Sequence, residues 1–396
     1  MKDFDRSALD SRTAEALADY SSIYGDGFCR WIAELWDSSG GFYYSESARD
    51  NEGFLPDIES TCQVLYAMRG QGLFAAYGGD MRRALPVGMQ RRMISFTDGL
   101  QGEDGFFYHP QWGRDIPAMR RGRDLSWAKG MYTLLGGEPP YAFADQQIKA
   151  EGSTSAAEHL RSPEAFREYL YSHDLKTKFH WLNHKLSAQH SEIKSAGLMP
   201  VLFEFLEREQ DPETGLWGDG VNYDSLTALM KGMLIYAEEK RPFAYAVEAV
   251  SSAIDILTTD AIPARIVDIT NPSNALLNIL DARRRICGEA EAEKLRLLVA
   301  ARGAEICESS RKKLLPYMQS PDVFSFLPYV VAPTSQNLPA AVEGTAEGDV
   351  NATVIAYGHL KRVKTLLGLS DTECFGDAEY RMFLETLRSR DPSVFD

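Results

Sequence analysis

Cysteine is scarce and poorly placed for a metal or redox centre. The five thiols, Cys29, Cys62, Cys287, Cys307 and Cys374, are odd in number, far apart and form no Cys-x-x-Cys pair. That pattern argues against a disulfide framework or a zinc site and for reduced thiols. Also lacking is an apolar run long and charge-free enough to cross a bilayer. The start, Met1-Lys2-Asp3-Phe4-Asp5-Arg6, has no apolar core of a signal peptide. The expectation is a cytoplasmic protein without membrane contact. Positive charge is in deficit: 42 Lys and Arg stand against 57 Asp and Glu, a formal net charge of -15. Phosphate backbones need a clustered positive surface, so a nucleic-acid partner is not expected. The nearest approach to a patch is Arg114, Arg120, Arg121 and Arg123, with Arg82, Arg83, Arg91 and Arg92 upstream. It reads either as a solvated face or as a grip on the carboxylate of an anionic substrate. Alternating, strand-like runs are few and short.

Helical periodicity is abundant. Val201, Leu202, Phe205 and Leu206 recur at one-turn spacing, as do Leu226, Leu229, Met230, Met233 and Leu234, and Ala246, Val247, Val250, Ile254 and Leu257. Across the 396 residues one phrase repeats with variations: a helix, a Gly-aromatic turn, then an Asp- or Asn-led helix rich in small and apolar residues. One copy runs from Trp31 through Gly40-Gly41-Phe42 to Asp57-Ile58-Glu59-Ser60-Thr61. A second has Asp104-Gly105-Phe106-Phe107, then Asp124-Leu125-Ser126-Trp127. The clearest has Asp211-Pro212-Glu213-Thr214-Gly215-Leu216-Trp217-Gly218, then Asn222-Tyr223-Asp224-Ser225. Weaker echoes follow at Asp268 to Ala275 and at Phe324-Ser325-Phe326 with Asp349-Val350-Asn351-Ala352-Thr353. A single helical hairpin cannot bury its apolar face alone, so such units stack into an array or a closed ring. The expectation is an all-α, single-domain chain over 1–396, with a helical lead-in over 1–27. The proline-rich span 316–348 is too long for an ordinary connection and is expected to lie near a binding site.

These repeats resemble those of the α/α-toroid superfamily, which includes terpenoid cyclases, protein prenyltransferase β subunits, and six-hairpin glycoside hydrolases and polysaccharide lyases. Thr214-Gly215-Leu216-Trp217-Gly218 looks like its Gly-aromatic turns, and Asp57 to Thr61 like the start of one of its inner helices. The resemblance covers about 28–367 and implies an (α/α) toroid of about five to six hairpins. It implies inner helices lining a central funnel, with Asp57, Asp124, Asp224 and Asp349 converging at one mouth. It does not select a reaction, because one fold hosts many.

Three constellations could carry chemistry. Glycoside hydrolysis needs two carboxyl groups on opposite sides of a bond, and Asp57, Glu59, Asp124, Asp224, Asp268, Glu343 and Asp349 recur at comparable places in the repeats. An Asp at a helix start is also simply a good cap. Five of the seven histidines, His159, His173, His180, His184 and His190, fall within one short stretch, where His180, Asn183 and His184 share a helix face. With no His-Glu-x-x-His pattern and no third ligand, a metal is not expected, nor any other cofactor. Elimination beside a uronic carboxylate would use His184 and Tyr223 to move protons, with Asn183 or an arginine such as Arg123 neutralising the acid. Aromatic rings, among them Trp127, Trp181 and Trp217, could stack on sugars or simply pack. The expected catalytic set is therefore Asp57, Glu59, Asp224, Tyr223 and His184. The expected substrate-binding set is Asn183, His180, Trp181, Trp217, Asp124, Trp127, Arg123 and Asp349.

An Asp-x-Asp-Asp acid and an Asp-x-Cys zinc pair are both absent, which weighs against cyclisation and prenyl transfer. The reading is a glycoside hydrolase or oligosaccharide lyase acting on a sugar substrate. The alternatives are a cyclase- or prenyltransferase-like enzyme, or a non-catalytic toroid that binds a sugar or a protein. Oligomeric state is left open.

Overall fold

The computed structural model describes residues 6–150 and 157–396. Its regular structure is nearly all helix. The named strands form two short antiparallel pairs, Met318–Ser320 with Val323–Phe324 and Thr334–Ser335 with Leu338–Pro339. The first residues, on which the reading of the N-terminus partly rests, lie outside the described set. No described helix is long and apolar enough to cross a membrane.

Six helices organise the molecule: α1 (Ile58–Gly70), α2 (Ala118–Leu135), α3 (Phe179–Ala188), α4 (Tyr223–Glu238), α5 (Ile266–Cys287) and α6 (Val350–Leu366). Three begin as their sequences suggest. Asp57, Asn222 and Asp349 each accept from the amide three residues on, at 2.9, 2.9 and 2.7 Å, satisfying a donor the helix leaves open. The second repeat is different. Helix α2 starts after Pro117, so Asp124 and Trp127 lie in its interior rather than at its start.

The Gly-aromatic turns have a common steric cause. Gly40, Gly105 and Gly215 all adopt left-handed φ, at 107°, 76° and 69°. A Cβ on Gly40 would sit 2.2 Å from the Arg92 carbonyl oxygen, and one on Gly215 would sit 2.5 Å from the Ala249 amide. Each turn therefore presses its backbone on that of a later segment, an approach open only to glycine. The aromatic residue that follows folds inward: Phe42, Phe107 and Trp217 are buried. The Trp217 indole donates to the Leu206 carbonyl at 2.8 Å, back into the preceding helix.

Successive helices are joined by packing and by polar bridges. Asn183 of α3 donates to the Ala228 carbonyl of α4 (2.9 Å), and Asn271 of α5 donates to Thr227 of α4 (3.0 Å). Ser273 of α5 meets His359 of α6 (2.9 Å), Gln63 of α1 donates to Asn351 of α6 (3.0 Å), and Arg120 of α2 donates to Glu59 of α1 (2.9 Å). One contiguous apolar core extends from Ala16 to Val394. A small satellite of Tyr44, Val331, Ala340 and Ala341 anchors the long 316–348 segment.

Candidate functional site

Two polar groupings stand on these helices, and they differ in whether their charges are already paired. The first surrounds Arg120, which is fully buried. Its guanidinium pairs with Asp124 one turn on (2.9 Å), with Glu59 (2.9 Å) and, more distantly, with Asp57 (3.8 Å), and it lies 4.3 Å from the centre of the Trp112 ring. Burial opposes the charge, but Asp124, Asp57 and Glu59 together hold Arg120 above the ordinary guanidinium range. Glu59 also accepts from Arg123 through Nε (2.7 Å) and Nη2, and from Gln63 (3.2 Å) and Ser335 (3.2 Å). A carboxylate so saturated has no lone pair facing a substrate. Asp57 is likewise spent on its own helix, accepting from the Ser60 amide and, at 2.6 Å, from the Ser60 hydroxyl. Asp349 caps Ala352 and also accepts from the Phe326 amide at 2.8 Å. Burial pushes its carboxyl up to about 7. Asp57, Glu59 and Asp124 thus meet around Arg120 in an internal ion-pair network, while Asp349 serves as a cap.

The second grouping lines an open cleft of about 620 Å³ walled by α2, α3, α4 and α5. Helical spacing explains which side chains reach it. Asp224, Thr227 and Lys231 stand at i, i+3 and i+7 on α4; His180, His184 and Ala188 stand at i, i+4 and i+8 on α3. Arg123, Ser126 and Trp127 come from α2, and Arg265, Asp268 and Asn271 from the start of α5. Trp181 exposes 47% of its surface, and its ring meets those of His180 and His184 edge-on or tilted, at 5.4 and 6.4 Å. A second cavity of about 380 Å³ adjoins at the His180–Asp224 end, lined also by Tyr223 and Asp219.

The cleft's charges are unevenly committed. Asp268 is held bidentately by Arg265, both oxygens at 3.0 Å. Burial nonetheless raises its pKa against Arg265, and Asp224 adds to the rise. The side chains of Asp224, His180, His184 and Lys231 form no hydrogen bond or ion pair among the described residues. Burial lowers His180, with Asp224 pulling the other way. Burial lowers His184 too, and Lys231 and Arg123 add to it. Both imidazoles are therefore biased toward the neutral form, which can accept a proton.

Other expected residues lie elsewhere. Asn183 is fully buried and faces α4, so it does not reach the cleft. Trp217 is packed within the core against Phe179, too deep to serve as a sugar platform. Asp124 is buried against Arg120. Tyr223 donates to the Ala261 carbonyl at 3.0 Å, and burial raises its hydroxyl to about 12. Glu343 lines none of the cavities described. Of the expected set, the cleft brings together Asp224, His184, His180, Trp181, Trp127 and Arg123. Lys231, Arg265, Thr227 and Asn271 were not foreseen. Lys231 could have been found, because it lies two turns beyond Asp224 and so on the same face of α4. Gln336, at the tip of the Thr334–Pro339 hairpin, also reaches the cleft.

Among the described residues no group of three or more His, Cys, Asp or Glu side chains is gathered as a metal site. Compared with known proteins, the chain matches no family model, no curated protein and no solved structure.

Proposed function

We propose that the chain is a carbohydrate-active enzyme built as an α/α toroid, in which α1 to α6 form the inner ring and the cleft is its substrate funnel. The chain of contacts from α2 through α1, α6, α5 and α4 to α3 supports the ring, with the cleft opening between its two ends. The reaction favoured is β-elimination on a uronic-acid oligosaccharide. One observation carries this choice: the cleft's unpaired titratable groups are two neutral-leaning histidines, a lysine and one acid, whereas hydrolysis needs two free carboxyl groups.

In this reading His184 removes the proton on the carbon beside the sugar carboxylate. The electron pair forms a carbon–carbon double bond, the bond to the glycosidic oxygen breaks, and that oxygen, hydrogen-bonded by the N–H of neutral His180, takes the proton that His184 has just acquired. His180 and His184 sit one turn apart, about 5–6 Å between Cβ atoms, a span suited to groups acting on adjacent ring carbons. Trp181 and Trp127 offer apolar faces for the sugar rings.

Incubation with polygalacturonate, alginate and glucuronan oligomers, followed at the ultraviolet absorbance of an unsaturated product, tests the proposal. The expected result is product from at least one polymer and none from His184→Ala. Release of reducing ends without absorbance would instead support the second reading, hydrolysis through Asp224 and Asp268, which share the cleft; burial and the Asp224 charge raise the Asp268 carboxyl. No cleavage of either kind rejects both.

A further inference from the structure

Among the described residues, Lys231 is the cleft cation without a counter-ion. It stands at the centre of α4's cleft-facing stripe, half-buried, and lines both the main cleft and a neighbouring cavity of about 470 Å³ beside His184 and His190. The nearest acids of that stripe, Asp224 and Glu238, are seven residues away on either side, roughly 10 Å along the helix axis. At that separation water and salt largely screen them. The charge that bears on Lys231 is another cation, Arg123 of α2. Arg123 commits Nε and Nη2 to Glu59, and its Nη1 edge has no described partner. His184 of α3 lines the same cleft and feels the charge of both. Glu59 balances Arg123, but Lys231 faces the same partly desolvated space with no described anion of its own, an arrangement that is costly unless one enters.

We infer that Lys231 and the free edge of Arg123 form a binding site for an oxyanion group, carboxylate or sulfate, and that the group is borne by an acidic sugar residue. The inference deepens the proposed saccharide reading, but binding can be measured without turnover. An oxyanion bridging the two would receive charge-assisted hydrogen bonds from both sides of the cleft, tying α2 to α4 across the gap. It would also place the carbon beside a carboxylate next to His184. Trp127, over which Arg123 lies at 5.8 Å from the ring centre, would form the apolar floor.

Calorimetric titration of the full chain with oligogalacturonate, oligoglucuronate and a sulfated disaccharide provides the test. Each is paired with its carboxyl-reduced or desulfated counterpart, and inorganic sulfate and phosphate are run alongside. At least one acidic saccharide should bind, with its neutral counterpart about tenfold weaker or worse, as loss of a charged hydrogen bond implies. Lys231→Met should give the same loss with an unchanged melting temperature, and Lys231→Arg should restore most of the affinity. Binding with no cleavage retains the anion site and rejects the elimination mechanism. Inorganic ions binding through Lys231 with no acidic saccharide doing so overturns the sugar-borne source and the proposed function with it. Equal affinity for acidic and neutral forms, unaltered affinity in Lys231→Met, or no binding by any anionic probe overturns the site.

Discussion

Acidic residues in this chain divide by what their oxygens already hold. Arg120 shows the consequence most sharply, since three carboxylates share one buried guanidinium. Arg120→Met would leave Asp124, Asp57 and Glu59 close together without their central cation. The expected destabilisation is about 3–5 kcal/mol by urea unfolding, the range for breaking a buried pair. A loss below 1 kcal/mol would mean the network is not the structural element described. Asp349 gives a pH signature instead. Its folded pKa, about 7, lies above the ordinary aspartate range, so the folded state binds the proton more tightly than the unfolded one. Its contribution is therefore most favourable at low pH and is lost as pH rises from about 4 to about 7. Relative to wild type, Asp349→Asn should lose that decline; parallel stability curves across this window would contradict the assignment.

At the scale of elements, the repeated phrase proves to be a device for starting helices and pressing turns against their neighbours. Asn222 caps α4 through the Ser225 amide, so Asn222→Ala is expected to lower stability by about 1 kcal/mol in denaturant unfolding. Gly215→Ala should cost more, about 2 kcal/mol or above, because it adds a disfavoured left-handed φ to a Cβ clash with the backbone at Ala249 and Tyr245. Equal losses for the two variants would argue that the turn has room to relax. These features were legible in advance, since N-caps and turn glycines act within a few residues of sequence. The start of α2 was not. Pro117 opens that helix seven residues before Asp124, and the Asp-led echo drew attention to an interior residue whose partner is Arg120, one turn back.

For the whole molecule, what the sequence left illegible was which members of a repeated set face one another. Asp57, Asp124, Asp224 and Asp349 look alike as residues in a phrase. Only tertiary packing sends three of them inward to amides and a guanidinium while Asp224 remains in the open cleft. The histidine pair was visible because its members lie on one helix, four residues apart. Lys231 escaped notice because its significance lies in what is absent around it, and that is a property of four helices together. The -15 net charge makes an unpaired cation in a cleft more telling, since it opposes the general field of the chain. The most direct measurement is the structure of the His184→Ala variant with a bound uronic-acid oligosaccharide. The account predicts the sugar in the cleft between α2 and α3, a carboxylate within hydrogen-bond distance of Lys231, and the glycosidic oxygen facing His180 and Asp224. A saccharide seated elsewhere, or one in the cleft with its carboxylate turned away from Lys231, would contradict it.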